Sequence, residues 1–154
     1  MTARYLREAQ LTYSRTSVKL ESPDVRSSET VYRIAGPLIG SRIVESLIVI
    51  ALDVRRRVIG IHEVSRGTVD GCLVQTSDVF RYPLIAGACA VILAHNHPSG
   101  SVEPSPDDLR LTERVRDAGK LLGIPVLDHV IVSDSAYFSF LDQGLISHEQ
   151  GRTI

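Results

Sequence analysis

Apolar residues in the middle of the chain form short continuous runs separated by polar turns. The runs over residues 43–53 and 58–65 predict two strands, and the short polar connection at 54–57 predicts an antiparallel hairpin between them. The unbroken apolar run at 90–95 is typical of a strand that is covered on both faces. We therefore expect a sheet with other elements packed on both sides.

Helical periodicity and capping residues predict two helices around these strands. Ser27 or Ser28 can cap a first helix that extends to about Leu38, with its end left open by a Gly-Pro pair. Thr76 or Ser77 can cap a second helix over residues 76–88, which Pro83 is expected to bend or delay. The apolar stripe expected to face the core on this second helix consists of Val79, Leu84, Ile85 and Ala88.

The C-terminal half of the chain predicts a third helix and two further strands. Ser105 is followed by a proline and, three residues after the serine, by Asp108, which is the form of a capped helix start. The helical pattern then continues to residue 122. Strands are expected at 126–133 and 137–140.

The length of the chain indicates a single domain with a core of its own. A domain of 154 residues buries roughly 68–70% of the surface that its unfolded chain exposes. We expect the domain to cover residues 27–148, after a polar N-terminal arm at 1–26 and before a short tail at 149–154.

Composition excludes a strongly basic nucleic-acid binder. The 17 basic and 18 acidic residues give a net charge of -1 with neutral histidine, and 44% of the residues are hydrophobic. The basic groups at residues 55–57 and along 110–120 are interpreted as solvated surface.

The two cysteines and the N-terminus point to a cytoplasmic protein. Cys72 and Cys89 lack metal-ligand spacing, and we interpret both as small buried residues in a reducing compartment. The N-terminus has no continuous apolar core, and the longest apolar run, at 47–52, is too short to span a bilayer. We expect no signal peptide, membrane anchor or membrane partner.

The candidate functional side chains are most concentrated at His95-Asn96-His97 and in the residues that follow. Alternate residues of a strand point to the same face, so His95 and His97 can present two imidazoles to one cation. Asp108, in the first turn of the third helix, can supply a carboxylate as the third ligand. Two histidines and one carboxylate leave a position for water, which is typical of catalytic zinc. The alternative is that both histidines are hydrogen-bonded structural residues.

A hydrolytic zinc site also needs a general base and a donor for the developing oxyanion. Glu63 is our candidate base because a carboxylate among the apolar residues of a predicted inner strand points to a functional role. Glu45 and Glu103 are the rival carboxylates. The Ser105 hydroxyl is our candidate oxyanion donor, although it can also be only a helix cap. Asp128-His129 is a polar pair in an apolar strand, and it either orients the metal site or belongs to the core.

Together, Glu63, His95-x-His97 and Ser105-x-x-Asp108 resemble the JAMM motif of the MPN-plus metalloproteases. The fuller sequence at 94–100, Ala-His-Asn-His-Pro-Ser-Gly, resembles the RadC branch of that superfamily. The resemblance extends from about residue 31 to residue 145. Further segments similar to RadC proteins lie at 65–69, 121–124 and 128–132.

This resemblance implies an α/β fold of the MPN/JAB type, a cytidine-deaminase-like α/β/α sandwich with a curved mixed sheet. It further implies zinc held by His95, His97 and Asp108, with Glu63 as the acid/base and Ser105 assisting. In relatives of known chemistry the reaction is hydrolysis of peptide or isopeptide bonds, often at the tail of ubiquitin or a ubiquitin-like protein.

Two functions from different classes follow as hypotheses. The first is a zinc-dependent hydrolase of amide bonds, with a small protein modifier as its substrate. The second is a RadC-like module that binds nucleic acid, with a structural or vestigial zinc. RadC proteins typically carry a helical region before this domain and this chain has a short polar arm there, so the second hypothesis has less support.

Overall fold

The computed structural model describes residues 8–67 and 74–147. Within those residues, no helix has both the length and the apolar character needed to cross a bilayer. The helices are α1 (Ser28–Ala35), α2 (Thr76–Ala86) and α3 (Pro106–Leu122). The strands are β1 (Ser46–Leu52), β2 (Val58–Arg66), β3 (Ala90–Asn96), β4 (Val126–Val132) and β5 (Tyr137–Ser139).

The five strands form one mixed sheet in the order β2-β1-β3-β4-β5. β1 is antiparallel to both β2 and β3, which confirms the predicted hairpin. β3 and β4 are parallel, and α3 is the crossover that parallel neighbours require. β5 returns antiparallel to β4 at the edge of the sheet.

Helices cover both faces of this sheet. Because side chains alternate along β1, Ile50 packs on one face with Ile34 of α1. Its neighbour Val49 packs on the other face with Val79 of α2 and Val115 of α3. We call these the α1 face and the α2/α3 face. The two apolar layers confirm the predicted α/β/α sandwich.

α1 begins as its sequence predicts and ends differently. The Ser27 side chain accepts a hydrogen bond from the Thr30 N–H at 3.3 Å, which confirms the predicted cap. The helix then continues as a π-helical turn over Gly36–Gly40. A Cβ at Gly40 would lie 2.5 Å from the Ser133 carbonyl oxygen, so this close approach requires glycine.

β1 begins three residues later than the apolar run predicts. Its pairing with β3 starts at Ser46, opposite Asn96. Ile43 precedes the ladder and 87% of it is exposed, so the predicted strand start at this residue is wrong. The segment before β1 instead forms a short non-strand connection that leads from the π-helical turn to the sheet.

α2 buries only part of the predicted stripe. Val79 and, just after the helix, Ala88 are buried as predicted, whereas Leu84 and Ile85 are exposed. The other buried residues of α2 are Phe80, Tyr82 and Pro83. Pro83 lies inside the helix and is itself buried. The predicted cap is also wrong, because Gln75 occupies that position without a side-chain hydrogen bond.

Cys89 is exposed, which corrects its interpretation as a buried residue. It lies in the connection between the left-handed Gly87 that ends α2 and the first residue of β3. Its backbone N–H bonds to the Leu52 carbonyl at 2.8 Å, and the side chain stays at the surface. Cys72 and the predicted tail lie outside the described residues.

The end of the predicted N-terminal arm contacts the hairpin. The Val25 N–H bonds to the Arg56 carbonyl at 2.9 Å, and the Val58 N–H bonds to the Pro23 carbonyl at 2.9 Å. Val25 is buried in the cluster on the α1 face. This segment therefore adds an apolar side chain to the core ahead of α1.

Candidate metal centre

Two histidines and an aspartate converge where β3 ends and α3 begins. His95 Nε2 lies 3.0 Å from His97 Nε2 and 3.1 Å from Asp108 Oδ1. His97 Nε2 lies 3.1 Å from Asp108 Oδ2. The structure therefore brings the three predicted ligands together as a group able to hold one metal ion. We call these three residues the His-His-Asp cluster.

The local sequence explains why these side chains meet. His95 and His97 point to the same side because they are two residues apart in extended chain. His95 pairs with Leu47, whose side chain packs on the α2/α3 face, so both imidazoles point toward α3. The turn between them and α3 closes at Gly100, with φ of 76°, where the Gly100 N–H bonds to the His97 carbonyl at 2.9 Å.

Ser105 fixes the orientation of the aspartate. Its hydroxyl accepts a hydrogen bond from the Asp108 N–H at 3.1 Å, and its own N–H donates to Asp108 Oδ2 at 2.7 Å, which completes a capping box. The hydroxyl also donates to Asp108 Oδ2 at 2.7 Å. Ser105 thus lies beside the cluster as predicted, and its hydroxyl hydrogen is directed to Asp108.

The charges of the cluster favour a cation at its centre. Burial opposes ionisation of Asp108, but hydrogen bonds from His95 and His97 outweigh it and hold the pKa of Asp108 well below its usual range. The hydrogen bond to Asp108 raises the pKa of His97 against the effect of burial, and the Glu45 carboxylate adds to this increase. The ionised Asp108 carboxylate therefore places negative charge beside the two imidazoles.

The donor set and its spacing fit zinc. His97 Nδ1 lies 3.0 Å from the Ser101 carbonyl oxygen, which can only accept, so a neutral His97 presents the Nε2 lone pair to the cluster. Tetrahedral ligands at about 2.0–2.1 Å from zinc lie roughly 3.3 Å apart, close to the separations of 3.0–3.1 Å in the cluster. Imidazole nitrogens and a carboxylate are common ligands of zinc.

The structure does not bring Glu63 to this cluster. Glu63 pairs with Ile48, whose side chain packs on the α1 face, whereas the cluster lies on the α2/α3 face. A β-bulge shifts the register between β1 and β2 beside this pair. Glu63 instead binds Arg42 at 2.5 Å and Arg66 at 2.9 Å. Burial opposes its ionisation, but these two arginines outweigh that effect and lower the pKa of Glu63.

Glu45 is the rival carboxylate that lies next to the cluster. The β1–β3 register pairs Ser46 with Asn96 and Leu47 with His95, so one residue further out Glu45 comes opposite His97. The effect of its charge on the pKa of His97 agrees with this placement. Its side chain is exposed. Glu103, the other rival, is exposed in the loop before α3.

Asn96, the residue between the two histidines, was not predicted to have a role. Its side chain is buried and accepts a hydrogen bond from the Ser46 N–H at 2.9 Å. Its amide also donates to the carbonyl oxygens of Arg42 at 3.0 Å and Val44 at 3.2 Å. Asn96 therefore links the segment that contains Glu45 to the end of β3 through side-chain hydrogen bonds. A buried amide within an apolar strand is the sequence signal for such a role.

His129 contacts the cluster from β4. It is fully buried, and its Nε2 lies 2.8 Å from His95 Nδ1. Its Nδ1 lies 2.6 Å from the Thr112 hydroxyl of α3, and its ring stacks on Phe140. Burial, with a smaller effect from His95, lowers the pKa of His129 well below its usual value, so the ring is neutral.

Asp128 supports the fold beside the cluster. Its carboxylate accepts hydrogen bonds from the Ser139 hydroxyl at 2.7 Å, from the Leu141 N–H at 3.0 Å and from its own neighbour, the His129 N–H, at 2.7 Å. Burial raises the pKa of Asp128 against these bonds. The residue thus joins β4 to the turn that follows β5.

The arginines considered for nucleic-acid binding make separate contacts. Arg57 pairs with Asp53 at 2.8 Å, which removes part of the charge of the hairpin. On α3, Arg114 donates to the Val74 carbonyl at 2.7 Å and Arg116 donates to the Ser147 carbonyl at 3.2 Å. The two α3 arginines therefore reach different neighbouring segments.

Comparison with known proteins relates the chain to one family. The sequence pattern of the family described as a RadC-like JAB domain matches residues 25–145. A UPF0758 protein of Symbiobacterium thermophilum is 37% identical over 132 residues, which is 86% of this chain and 56% of that protein. A UPF0758 protein of Thermotoga maritima is 48% identical over 96 residues, which is 62% of this chain and 43% of that protein.

A third relative, a UPF0758 protein of Thioalkalivibrio sulfidiphilus, is 53% identical over 95 residues, covering 62% of this chain and 42% of its own length. The chain spans about half the length of the curated relatives it matches. The matched region contains α1, all five strands and every residue of the His-His-Asp cluster. The chain thus belongs to the RadC-like JAB domain family.

Proposed function

We propose that this chain is a zinc-dependent hydrolase that cleaves a peptide or isopeptide bond. The observation that carries the proposal is the convergence of His95, His97 and Asp108 within hydrogen-bond distance, with the Glu45 carboxylate near enough to raise the pKa of His97. Three protein ligands leave a coordination position for water, as in catalytic zinc sites. Membership in the RadC-like JAB domain family agrees with a metallohydrolase.

The unequal burial of the cluster supports access from one side. The side chain of His95 is almost fully buried beneath α3, whereas 16% of the His97 side chain is exposed. Glu45 is exposed beyond His97. A substrate therefore approaches over His97 and Glu45, and His95 and Asp108 lie at the buried back of the site.

In this proposal the protein residues divide the chemistry between them. When bound, zinc would lower the pKa of water toward about 7 and polarise the carbonyl of the scissile amide. Glu45 takes the proton of the attacking water and delivers it to the leaving amine. Ser105 holds Asp108 in place through three hydrogen bonds, and its hydroxyl becomes an oxyanion donor if that hydrogen turns away from Asp108.

Glu45 replaces Glu63 as the proposed general base for two physical reasons. Glu63 lies on the α1 face and is held by two arginines that stabilise its ionised form, which makes it a weak base. Glu45 lies on the same side of the strand pair as the histidines. Its exposed carboxylate is free to reach both water and a leaving group.

The proposed substrate class is the extended tail of a small protein modifier, such as a ubiquitin-like protein. β2 is an edge strand of the sheet, and among the described residues no strand pairs with its outer side beyond the Val58 N–H that bonds to Pro23. This edge supports the choice because an extended peptide can bind as an added strand. β2 reaches the site, since the Gly67 N–H that follows it bonds to the Glu45 carbonyl at 2.8 Å. A tail paired with β2 would lead its scissile bond toward Glu45 and His97.

The proposal is tested with a panel of ubiquitin-like proteins fused through peptide or isopeptide bonds. We expect the zinc-loaded chain to cleave at least one of them, a chelator to abolish cleavage, and added zinc to restore it. Glu45→Gln should reduce the rate by about 100-fold or more, within the usual range for general acid-base catalysis.

Glu63→Gln is the matched comparison because it neutralises a carboxylate on the neighbouring strand. We expect it to retain most of the rate. Cleavage that persists in the chelator would overturn the zinc mechanism. A large rate loss in Glu63→Gln with none in Glu45→Gln would return the base role to Glu63 and contradict the assignment of Glu45.

A further inference from the structure

A series of buried hydrogen bonds joins two members of the His-His-Asp cluster behind the metal position. His95 Nδ1 lies 2.8 Å from His129 Nε2, and His129 Nδ1 lies 2.6 Å from the Thr112 hydroxyl. The Thr112 hydroxyl lies 2.6 Å from the Asp108 backbone carbonyl. The Asp108 carboxylate lies 3.1 Å from His95 Nε2, on the side of the imidazole that faces the metal position.

The chemistry of these groups fixes the direction of each hydrogen bond. The Asp108 carbonyl can only accept, so it takes the single hydrogen of the Thr112 hydroxyl. The Thr112 oxygen must then accept from His129 Nδ1, which therefore carries a hydrogen. A buried neutral imidazole with one hydrogen on Nδ1 has a lone pair on Nε2, and this atom accepts from His95 Nδ1.

These hydrogen bonds together select one tautomer of His95. With its hydrogen on Nδ1, a neutral His95 presents the Nε2 lone pair, and that atom is the one that faces His97 and Asp108. The opposite tautomer would place a hydrogen on Nε2 at the centre of the cluster. Metal ligation needs the lone pair there.

We infer that Thr112 and His129 are positioning residues that set the tautomer and ring orientation of His95 for metal binding. This inference rests on the proposed function, because it concerns the same metal site. His129 is well suited to the role because it is fully buried and stacked on Phe140, which fixes its ring plane. We call the hydrogen-bonded series Thr112–His129–His95 the relay. Thr112 lies one helical turn after Asp108, so α3 positions both the aspartate and the first residue of the relay.

The test compares Thr112→Val with Thr112→Ser. Valine has nearly the shape of threonine but cannot accept from His129, whereas serine keeps the hydroxyl. We expect Thr112→Val to weaken zinc binding by about 10- to 100-fold, as is typical when a partner of a metal-ligating histidine is removed. Thr112→Ser should keep the affinity within a few-fold of that of the wild-type chain. Affinity is measured by competition with a chromophoric chelator.

A second readout separates positioning from a loss of stability. Nitrogen-15 NMR of the histidine rings should show His95 and His129 protonated on Nδ1 in the wild-type chain and in Thr112→Ser, and a mixture of tautomers in Thr112→Val. Val115→Ala is the control, because Val115 is buried on α3 about one turn after Thr112 and has no polar group that can join the relay. It should lower the unfolding temperature and leave both the affinity and the tautomers unchanged.

The outcomes distinguish this inference from the proposed function. Equal zinc affinity and equal tautomers in Thr112→Val and the wild-type chain would overturn the positioning role and leave the hydrolase proposal standing. A parallel loss of affinity in Val115→Ala would also overturn it, because destabilisation alone would then explain the effect. A wild-type chain that binds no zinc would overturn both.

Discussion

Asp108 shows how one side chain can serve the fold and the site together. Its carboxylate completes the capping box of α3 with Ser105, and it faces the two histidines that end β3. The helix dipole stabilises negative charge at a helix N-terminus, so the ionised carboxylate of Asp108 suits both roles. The capped first turn fixes the direction of the carboxylate before any ion is bound.

Glu63 has a structural role at the residue scale, and its pH dependence can be predicted. Burial opposes its ionisation, but Arg42 and Arg66 outweigh that effect and lower the pKa of Glu63 below its ordinary value of 4.5. Such a group stabilises the fold above its unfolded pKa, and this contribution is lost as the pH falls through the lower, folded pKa. Glu63→Gln should therefore melt at a lower temperature than the wild-type chain at pH 7.

The difference between the two melting temperatures should shrink as the pH falls below about 4.5, where Glu63 of the unfolded chain takes up a proton, and should disappear below the lower pKa of the folded chain. Circular dichroism melts at a series of pH values measure it. A difference that is the same at pH 7 and at the acid end of the series would contradict the ion-pair role of Glu63.

The sequence identified the residues whose placement is local and left open those whose placement depends on register. His95, His97, Ser105 and Asp108 lie close together in the chain, and strand alternation with a helix cap is enough to bring them together. The choice among carboxylates depends on the β1–β3 and β1–β2 registers and on a bulge. Sequence pattern does not reveal a bulge, so Glu63 and Glu45 could not be separated.

At the scale of elements, the site depends on how β1 is attached to β3. Asn96 links the two through Ser46 and through the two carbonyl groups before Glu45. Replacing it by alanine leaves a buried N–H and two carbonyl oxygens without these partners, at a cost of about 1–3 kcal/mol for each group that stays unsatisfied. We expect Asn96→Ala to be less stable in urea unfolding.

The same variant should separate turnover from metal binding. The zinc ligands lie on β3 and α3, so the affinity for zinc should change little, whereas kcat should fall because the Glu45 segment is no longer fixed. Val115→Ala again controls for destabilisation alone and should keep its kcat. A full loss of zinc affinity in Asn96→Ala, or an unchanged kcat, would show that Asn96 does not position this segment.

Element boundaries were predicted well where capping chemistry is strong. α3 extends over Pro106–Leu122 as expected, because a serine cap begins it and a left-handed Gly123 ends it. β1 and α2 were predicted less well, since apolar residues such as Ile43 and Leu84 lie on the surface. The spacing of apolar residues does not show which of them a neighbouring element will cover. Tertiary packing therefore decided the start of β1 and the buried face of α2.

At the scale of the whole molecule, the site lies where separate parts of the sandwich meet. The segment before β1 contributes Glu45, the end of β3 and the residue after it contribute the two histidines, and α3 contributes Asp108. β4 contributes His129 from behind. The covered apolar strand and the sequence resemblance predicted this α/β/α arrangement. The buried relay to β4 could not be predicted, because it needs the parallel β3–β4 pairing that places His129 beside Leu93 and near His95.

The central claim is a zinc ion held by two imidazoles and one carboxylate, with one position open to water. The measurement that tests it most directly is a zinc K-edge X-ray absorption spectrum of the zinc-loaded chain. We predict four nitrogen or oxygen neighbours at about 2.0 Å, the scattering pattern of two imidazoles, and no sulfur neighbour. A sulfur ligand, a third imidazole, or zinc with no imidazole neighbour would contradict the account.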